Sequence, residues 1–163
     1  MRPNSPKSRR SFLALLSACF IAPLFTAIGK VDAQGLVTFD KSQLVIKTAK
    51  GNFKINIELA ISSRQQSQGL MFRRTLAADA GMLCDYRIPQ RISRWRKNTF
   101  IPLDMIFIGQ DGRVINIAER TIPHSEVVIS STFRARAVLE VNGGTASRLA
   151  IKPGDQVLHA IFK

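Results

Sequence analysis

The stretch WRKNTFIPLDMIFIGQDGRVINIAER, residues 95–120, decides the fold. Asp111-Gly112 is the strongest short hairpin signal in the chain, because both residues tolerate the positive φ that a two-residue turn demands. With such a turn Gln110 pairs with Arg113, Ile108 faces Ile115, Ile106 faces Ile117 and Asp104 faces Glu119. One sheet face then carries four isoleucines ending in two carboxylates. The other face of the first strand carries Leu103, Met105 and Phe107. A strand that is apolar on both sides belongs in the buried centre of a sheet. Asp104 at its start therefore needs a partner, since an uncompensated buried carboxylate is costly.

Upstream, Arg94-Trp95-Arg96-Lys97 ends a strand expected over residues 91–97. A tight connection around Pro102 brings either Arg96 or Trp95 opposite Asp104, and the register between the two strands stays open. In both registers Lys97, Asn98 and Thr99 lie near the carboxylates at one end of the sheet. Trp95, Lys97, Asn98, Thr99, Asp104 and Glu119 thus form a candidate ligand pocket, with Trp95 as a wall. The plainer alternative is a structural ion pair beside a capped loop. Arg87, Arg91, Arg94, Arg96 and Lys97 beside Trp95 can bind an anionic polymer by charge and stacking, or can simply keep a strand face solvated.

Outward from this hairpin, Gln43–Thr48 and Phe53–Ile61 alternate as two strands joined by a turn. Ser62 and Ser63 can cap a helix that runs to about Leu70. Further strands are expected over Gly81–Tyr86, Arg136–Val141 and Gln156–Phe162, with a short helix capped by Asn142 before the Lys152-Pro153-Gly154-Asp155 turn. The pattern predicts a compact antiparallel-rich α+β domain with two short helices, a partly closed barrel being one form of it.

Residues 1–33 read as a cleaved export signal, leaving residues 34–163 as a single globular domain. Arg2, Lys7, Arg9 and Arg10 precede an apolar run from Phe12 to Ile28, and small residues at Val31-Asp32-Ala33 suit a signal peptidase. The wording SRRSFLA, residues 8–14, resembles a twin-arginine signal. Leu16-Ser17-Ala18-Cys19 looks like a lipoprotein cleavage box but lacks a polar tether after it, so Cys19 reads as a small residue inside the signal. The expected location is the periplasm or beyond, with no transmembrane span in the mature form. One cysteine, Cys84, remains there, so no internal disulfide can form. The full chain carries +13, and residues 34–163 keep 19 bases against 10 acids, a net +9. For an exported monomer the matching anions are lipid headgroups, acidic envelope polymers or a small polar ligand; nucleic acid is not expected.

Several blocks in order resemble the family known as domain of unknown function 192. They are Gly69-Leu70-Met71-Phe72-Arg73, Gly81-Met82-Leu83, Trp95, Lys97-Asn98-Thr99, Ile101-Pro102-Leu103-Asp104, Asp111-Gly112, Ala137-Val138-Leu139-Glu140 and Lys152-Pro153-Gly154-Asp155. The resemblance spans roughly residues 45 to 162 and implies one β-rich domain, often behind an export signal, with no established activity to carry over. It also implies that Lys97, Asn98, Thr99 and Asp104 are shared polar positions. Arg96 departs from the methionine usual in the family, Cys84 and Tyr86 from phenylalanine, and Ala150 from glycine.

Recognisable reaction chemistry is sparse. His124 and His159 have no metal-ligand spacing, and His124-Ser125-Glu126 are too close in sequence to aim at one another as a triad. No glycine-rich phosphate loop follows a strand, so neither metal nor cofactor is expected. The reading is an exported binding or accessory module for a polar or anionic envelope ligand. The alternatives are an envelope glycan hydrolase using Asp104 and Glu119, and an interaction module serving a membrane partner.

Overall fold

The computed structural model describes residues 37–163; the export-signal reading of residues 1–33 lies outside the described residues. The elements in order are β1 (Asp40–Thr48), β2 (Gly51–Ala60), α1 (Ser63–Gln68), β3 (Ala80–Gln90), β4 (Ser93–Arg94) and β5 (Leu103–Ile108). They continue with β6 (Val114–Thr121), β7 (Ile129–Ser130), β8 (Ala135–Asn142), α2 (Thr145–Leu149), β9 (Gln156–Leu158) and a closing 3-10 turn, Ala160–Phe162.

Seven strands form one sheet in the order β6-β5-β8-β3-β2-β1-β9, and β4 pairs with β7 in a separate ribbon. The large sheet curls into a half-barrel, and its end strands touch where Arg113 bridges Gln156. Val114 and Val157 N–H donate to Asp155 and Gly112 carbonyls there, at 2.9 and 2.8 Å. The protein is mostly sheet. Antiparallel pairing dominates, but β2 and β3 run parallel. A parallel neighbour needs a crossover, and α1 with the loop after it supplies one. Ser62 caps α1 through a complete capping box with Gln65, as the serine pair predicts.

All six residues of β5 are buried, because each face meets its own apolar layer. Ile106 and Ile108 join Leu44, Ile46, Ile57, Leu83 and Leu139 on one side. Leu103, Met105 and Phe107 join Leu70, Met82, Cys84, Ile92 and Val138 on the other. A two-sided apolar strand does sit in the sheet's interior, between β6 and β8.

The hairpin register differs from the two-residue expectation. Gly109 N–H donates to Arg113 O (2.8 Å) and Gly112 N–H to Gly109 O (3.1 Å), which makes Gln110-Asp111-Gly112 a three-residue loop. Gly112 stands at φ 79, the left-handed position that follows a type I turn. A Cβ on it would meet Val157 O at 2.5 Å, so glycine is required sterically as well. Ile108 therefore pairs with Val114, while Ile106 still pairs with Ile117. A second irregularity sets Leu103 against Thr121 and Met105 against Ala118, leaving Asp104 opposite Glu119 and Arg120 together. Arg120 takes φ 47 at this bulge. The facing pair of carboxylates thus does not form: Asp104 is buried and Glu119 is exposed.

Two further expectations change. Residues 91–97 do not form a strand beside β5; only Ser93–Arg94 are extended, and they pair with β7. The α2 helix is not capped by Asn142, whose side chain bonds Leu76 and Ala77 carbonyls. Asp104 caps it from across the sheet, accepting from Gly144 N at 3.0 Å and Ala146 N at 2.8 Å. His159 does not extend the last strand but caps the 3-10 turn and meets Ser42 Oγ at 3.0 Å.

Candidate anion-binding site

Strand β8 alternates, so Glu140 shares a face with Val138 and enters the second apolar layer between Met82 and Met105. It is fully buried. A carboxylate there survives only with cations beside it, and the segment covering that face supplies two. Arg94 on β4 and Arg96 two residues on both turn inward. Arg94 Nη2 donates to Glu140 Oε1 at 3.0 Å, and Arg96 Nη1 lies 3.3 Å from Oε2. Arg96 is 2% exposed, which makes it a core residue and no part of a solvated basic face.

Arg94 has more anchors. Its Nη1 donates to Gln66 O at 2.7 Å and reaches Tyr86 Oη at 3.4 Å. Arg96 is held by its backbone, its N–H donating to Ser125 O at 2.9 Å and its carbonyl accepting Thr99 N–H at 3.1 Å. The Arg94–Glu140–Arg96 group carries a net single positive charge in a low-dielectric setting. Four of its buried polar atoms lack an aligned hydrogen bond: Arg94 Nε, Arg96 Nε and Nη2, and Glu140 Oε2. The 3.3 Å contact to Oε2 is thus an ion pair with poor hydrogen-bond geometry. Burial pushes the Glu140 carboxyl up, but the two arginines outweigh it and hold the group below its ordinary value. Burial lowers Arg94's affinity for its proton, and Glu140, Cys84 and Tyr86 together more than restore it.

The triad floors a cleft of about 510 Å³. Leu70, Met71, Trp95 and Val128 give it apolar walls, Tyr86 adds a ring, and Ser67 and Gln68 add polar groups. Such a cleft, apolar in its walls with convergent donors at its base, is the form of a small-ligand site. Its chemistry fits an anion that two guanidinium groups can engage while its body rests on Trp95.

Gly69 makes the floor sterically feasible. It ends α1 at φ 49, and a Cβ on it would come 2.9 Å from Arg94 Nη2. Gly69→Ala is expected to cost about 1–3 kcal/mol through backbone strain and displacement of the guanidinium. Urea unfolding measures this, and an unchanged midpoint would show that Arg94 has room to move.

Of the residues singled out in the sequence, Trp95 and Thr99 line this cleft. Lys97 is exposed and pairs with Glu126 at 3.3 Å. Asn98, at φ 57, serves the backbone by accepting Phe72 N–H at 2.9 Å. Asp104 lies in the core with both oxygens bonded to backbone N–H groups, and Glu119 lies on the surface. The structure does not bring these six residues together. Arg94, Arg96 and Glu140 are the residues that sequence reasoning missed as a group. The available signal was Glu140 itself, a lone carboxylate inside the apolar run Ala137–Val141.

Cys84 lies beneath the same site, fully buried, and burial pushes its thiol up to about 12, so it acts as a core residue. Among the described residues no cluster of three or more His, Cys, Asp or Glu side chains could hold a metal ion. Among the described residues no helix is long and apolar enough to cross a membrane.

The fold and the cleft define a β-rich domain with a buried arginine–glutamate floor. The model of the DUF192 family (Uncharacterized ACR) matches residues 45–159, and the chain belongs to that family. Two solved structures resemble it over most of its length. A Sinorhizobium meliloti protein described as a candidate transcription regulator is 42% identical, with a TM-score of 0.75, covering 78% of this chain and 99% of its own. A protein of unknown function from Novosphingobium aromaticivorans is 41% identical, with a TM-score of 0.72, covering 73% of this chain and 85% of its own. No curated protein matches the chain.

Proposed function

We propose that this protein is an exported binding module whose cleft takes a small organic anion, its carboxylate or phosphate on Arg94 and Arg96 and its apolar body against Trp95. The observation that carries the reading is the buried net positive charge at the cleft floor, with guanidinium nitrogens left without partners. Arginines with unused donors in a desolvated site favour a planar or tetrahedral oxyanion over water. The glycan-hydrolase alternative has less support. Asp104 already serves three backbone N–H groups, and Glu119 shares no site with it. A transcription-regulator role like that ascribed to the Sinorhizobium protein gains no support from Arg94 and Arg96, which are withdrawn from the surface.

Trp95 is the chain's only tryptophan and lines the cleft, so its fluorescence reports occupancy directly. Benzoate and phenyl phosphate are expected to change its emission saturably, while neutral benzamide does so at least ~10-fold more weakly. Equal responses to benzoate and benzamide would remove the anion reading. The twin-arginine route rests on the SRRSFLA stretch. Replacing Arg9 and Arg10 by lysine is expected to retain precursor in the cytoplasm, and normal periplasmic recovery of the variant would refute the twin-arginine route.

A further inference from the structure

Away from the cleft floor, β3 and β8 end in a projecting tip. The sequences RIPQR, residues 87–91, and TFRAR, residues 132–136, meet there with Gln90 opposite Ala135. Arg134 Nη2 donates to Pro89 O at 2.6 Å, and Arg91 Nη1 donates to the Ser131 and Thr132 carbonyls, so the two segments are tied into one surface. Two large apolar side chains stand out from it: Ile88 is 70% exposed and Phe133 is 73% exposed. Arg87, Arg91, Arg134 and Arg136 belong to the same two segments.

The acid nearest in sequence is Asp85, which is buried and already occupied. It accepts Arg87 N–H at 2.8 Å and lies 3.3 Å from Arg136 Nε. The tip thus carries two exposed apolar side chains and four arginines, with no exposed carboxylate in either segment. At Ile122 and Val127 the setting differs. The patch around Ile122 and Val127 includes Glu126, paired to Lys97.

We infer that this tip docks on an anionic lipid bilayer, with Ile88 and Phe133 entering the headgroup–acyl boundary and the arginines resting on lipid phosphates. Charge alone would suit any polyanion. A hydrophilic polymer, however, has nothing to offer an isoleucine and a phenylalanine held in water, whereas a bilayer interface buries both. Arginine beside an aromatic residue is the composition that interfacial anchors use. The net +9 of residues 34–163, which includes these four arginines, adds long-range attraction to the same surface. This surface stands apart from the anion cleft, although Tyr86 and Ser93, which bracket residues 87–91, line that cleft.

The test is co-sedimentation of the protein, in the form cells produce, with vesicles of phosphatidylcholine alone or mixed with phosphatidylglycerol. The parent is expected to bind the anionic vesicles at least ~10-fold more tightly. Ile88→Ser with Phe133→Ser is expected to weaken that binding ~10-fold or more while leaving the melting temperature unchanged, since both residues are exposed. Arg87→Gln with Arg134→Gln should weaken it comparably and flatten its salt dependence. Ile122→Ser with Val127→Ser, on the other patch, should bind as the parent does. The inference is overturned if the Ile88/Phe133 variant sediments like the parent. It is equally overturned if poly-glutamate binds parent and variant alike and displaces the vesicles, which would assign the tip to a soluble polymer. Loss of vesicle binding in Arg96→Met alone would place the lipid contact in the cleft and also overturn it.

Discussion

Asp104→Asn is expected to lower stability by about 3–5 kcal/mol, the cost of breaking a buried, charge-assisted network. Asp104 Oδ1 accepts Arg120 N–H at 2.8 Å and Gly144 N–H at 3.0 Å, and Oδ2 accepts Ala146 N–H at 2.8 Å. One side chain therefore holds the β6 bulge and the start of α2 together. Asparagine turns one of those acceptors into a donor that faces another donor. It also removes negative charge from a helix start that has no side-chain cap of its own. Lys97→Ala should cost less than about 1 kcal/mol, because its pair with Glu126 is exposed. Denaturant curves for both variants separate the two cases. If Asp104→Asn unfolds within about 1 kcal/mol of the parent, the carboxylate is not what fixes the bulge.

This carboxylate shows where sequence reasoning reached and where it stopped. A two-sided apolar strand could be recognised from the residues of β5, and so could the need to compensate Asp104. The identity of the compensation could not. Asp104 uses backbone N–H groups from residues 120, 144 and 146, and backbone donors leave no mark in a sequence. The hairpin failed by one residue, because Asp-Gly suits both a two-residue turn and the last two positions of a three-residue loop. That slip is absorbed at Phe107–Ile108, and it is the separate bulge at Asp104 that breaks the expected pairing with Glu119. Ala150 is a case where composition did carry geometry. It stands at φ 54 in the left-handed C-cap of α2, the position where the family resemblance implies glycine. Arg94 and Arg96 misled because a run of bases reads as surface. Their true partner, Glu140, is 46 residues from Arg94 and on a strand of the other sheet, a contact that no local pattern encodes.

The opposed behaviour of Arg96→Met and Glu140→Gln follows from the charge count of the triad. Arg96→Met removes one of two buried cations and leaves Arg94 and Glu140 as a neutral pair in an apolar layer. Methionine fills the space flexibly, and replacing part of a buried ion cluster with apolar volume is often neutral or stabilising by about 1–3 kcal/mol. Binding should move the other way: losing one guanidinium is expected to weaken benzoate ~10- to 100-fold. Glu140→Gln instead leaves two buried cations without their carboxylate and should cost about 3–5 kcal/mol. An anion seated in the cleft can replace part of that charge, so benzoate should raise the unfolding midpoint of Glu140→Gln more than that of the parent. Combining the two substitutions removes one of the stranded cations, and the double variant should recover part of the loss. Urea curves for the parent, both single variants and the double variant, with and without benzoate at constant ionic strength, read all of this in one set. A parent-like benzoate response in Arg96→Met, together with no benzoate rescue of Glu140→Gln, would reduce the triad to a structural ion cluster and leave the cleft without an anion site.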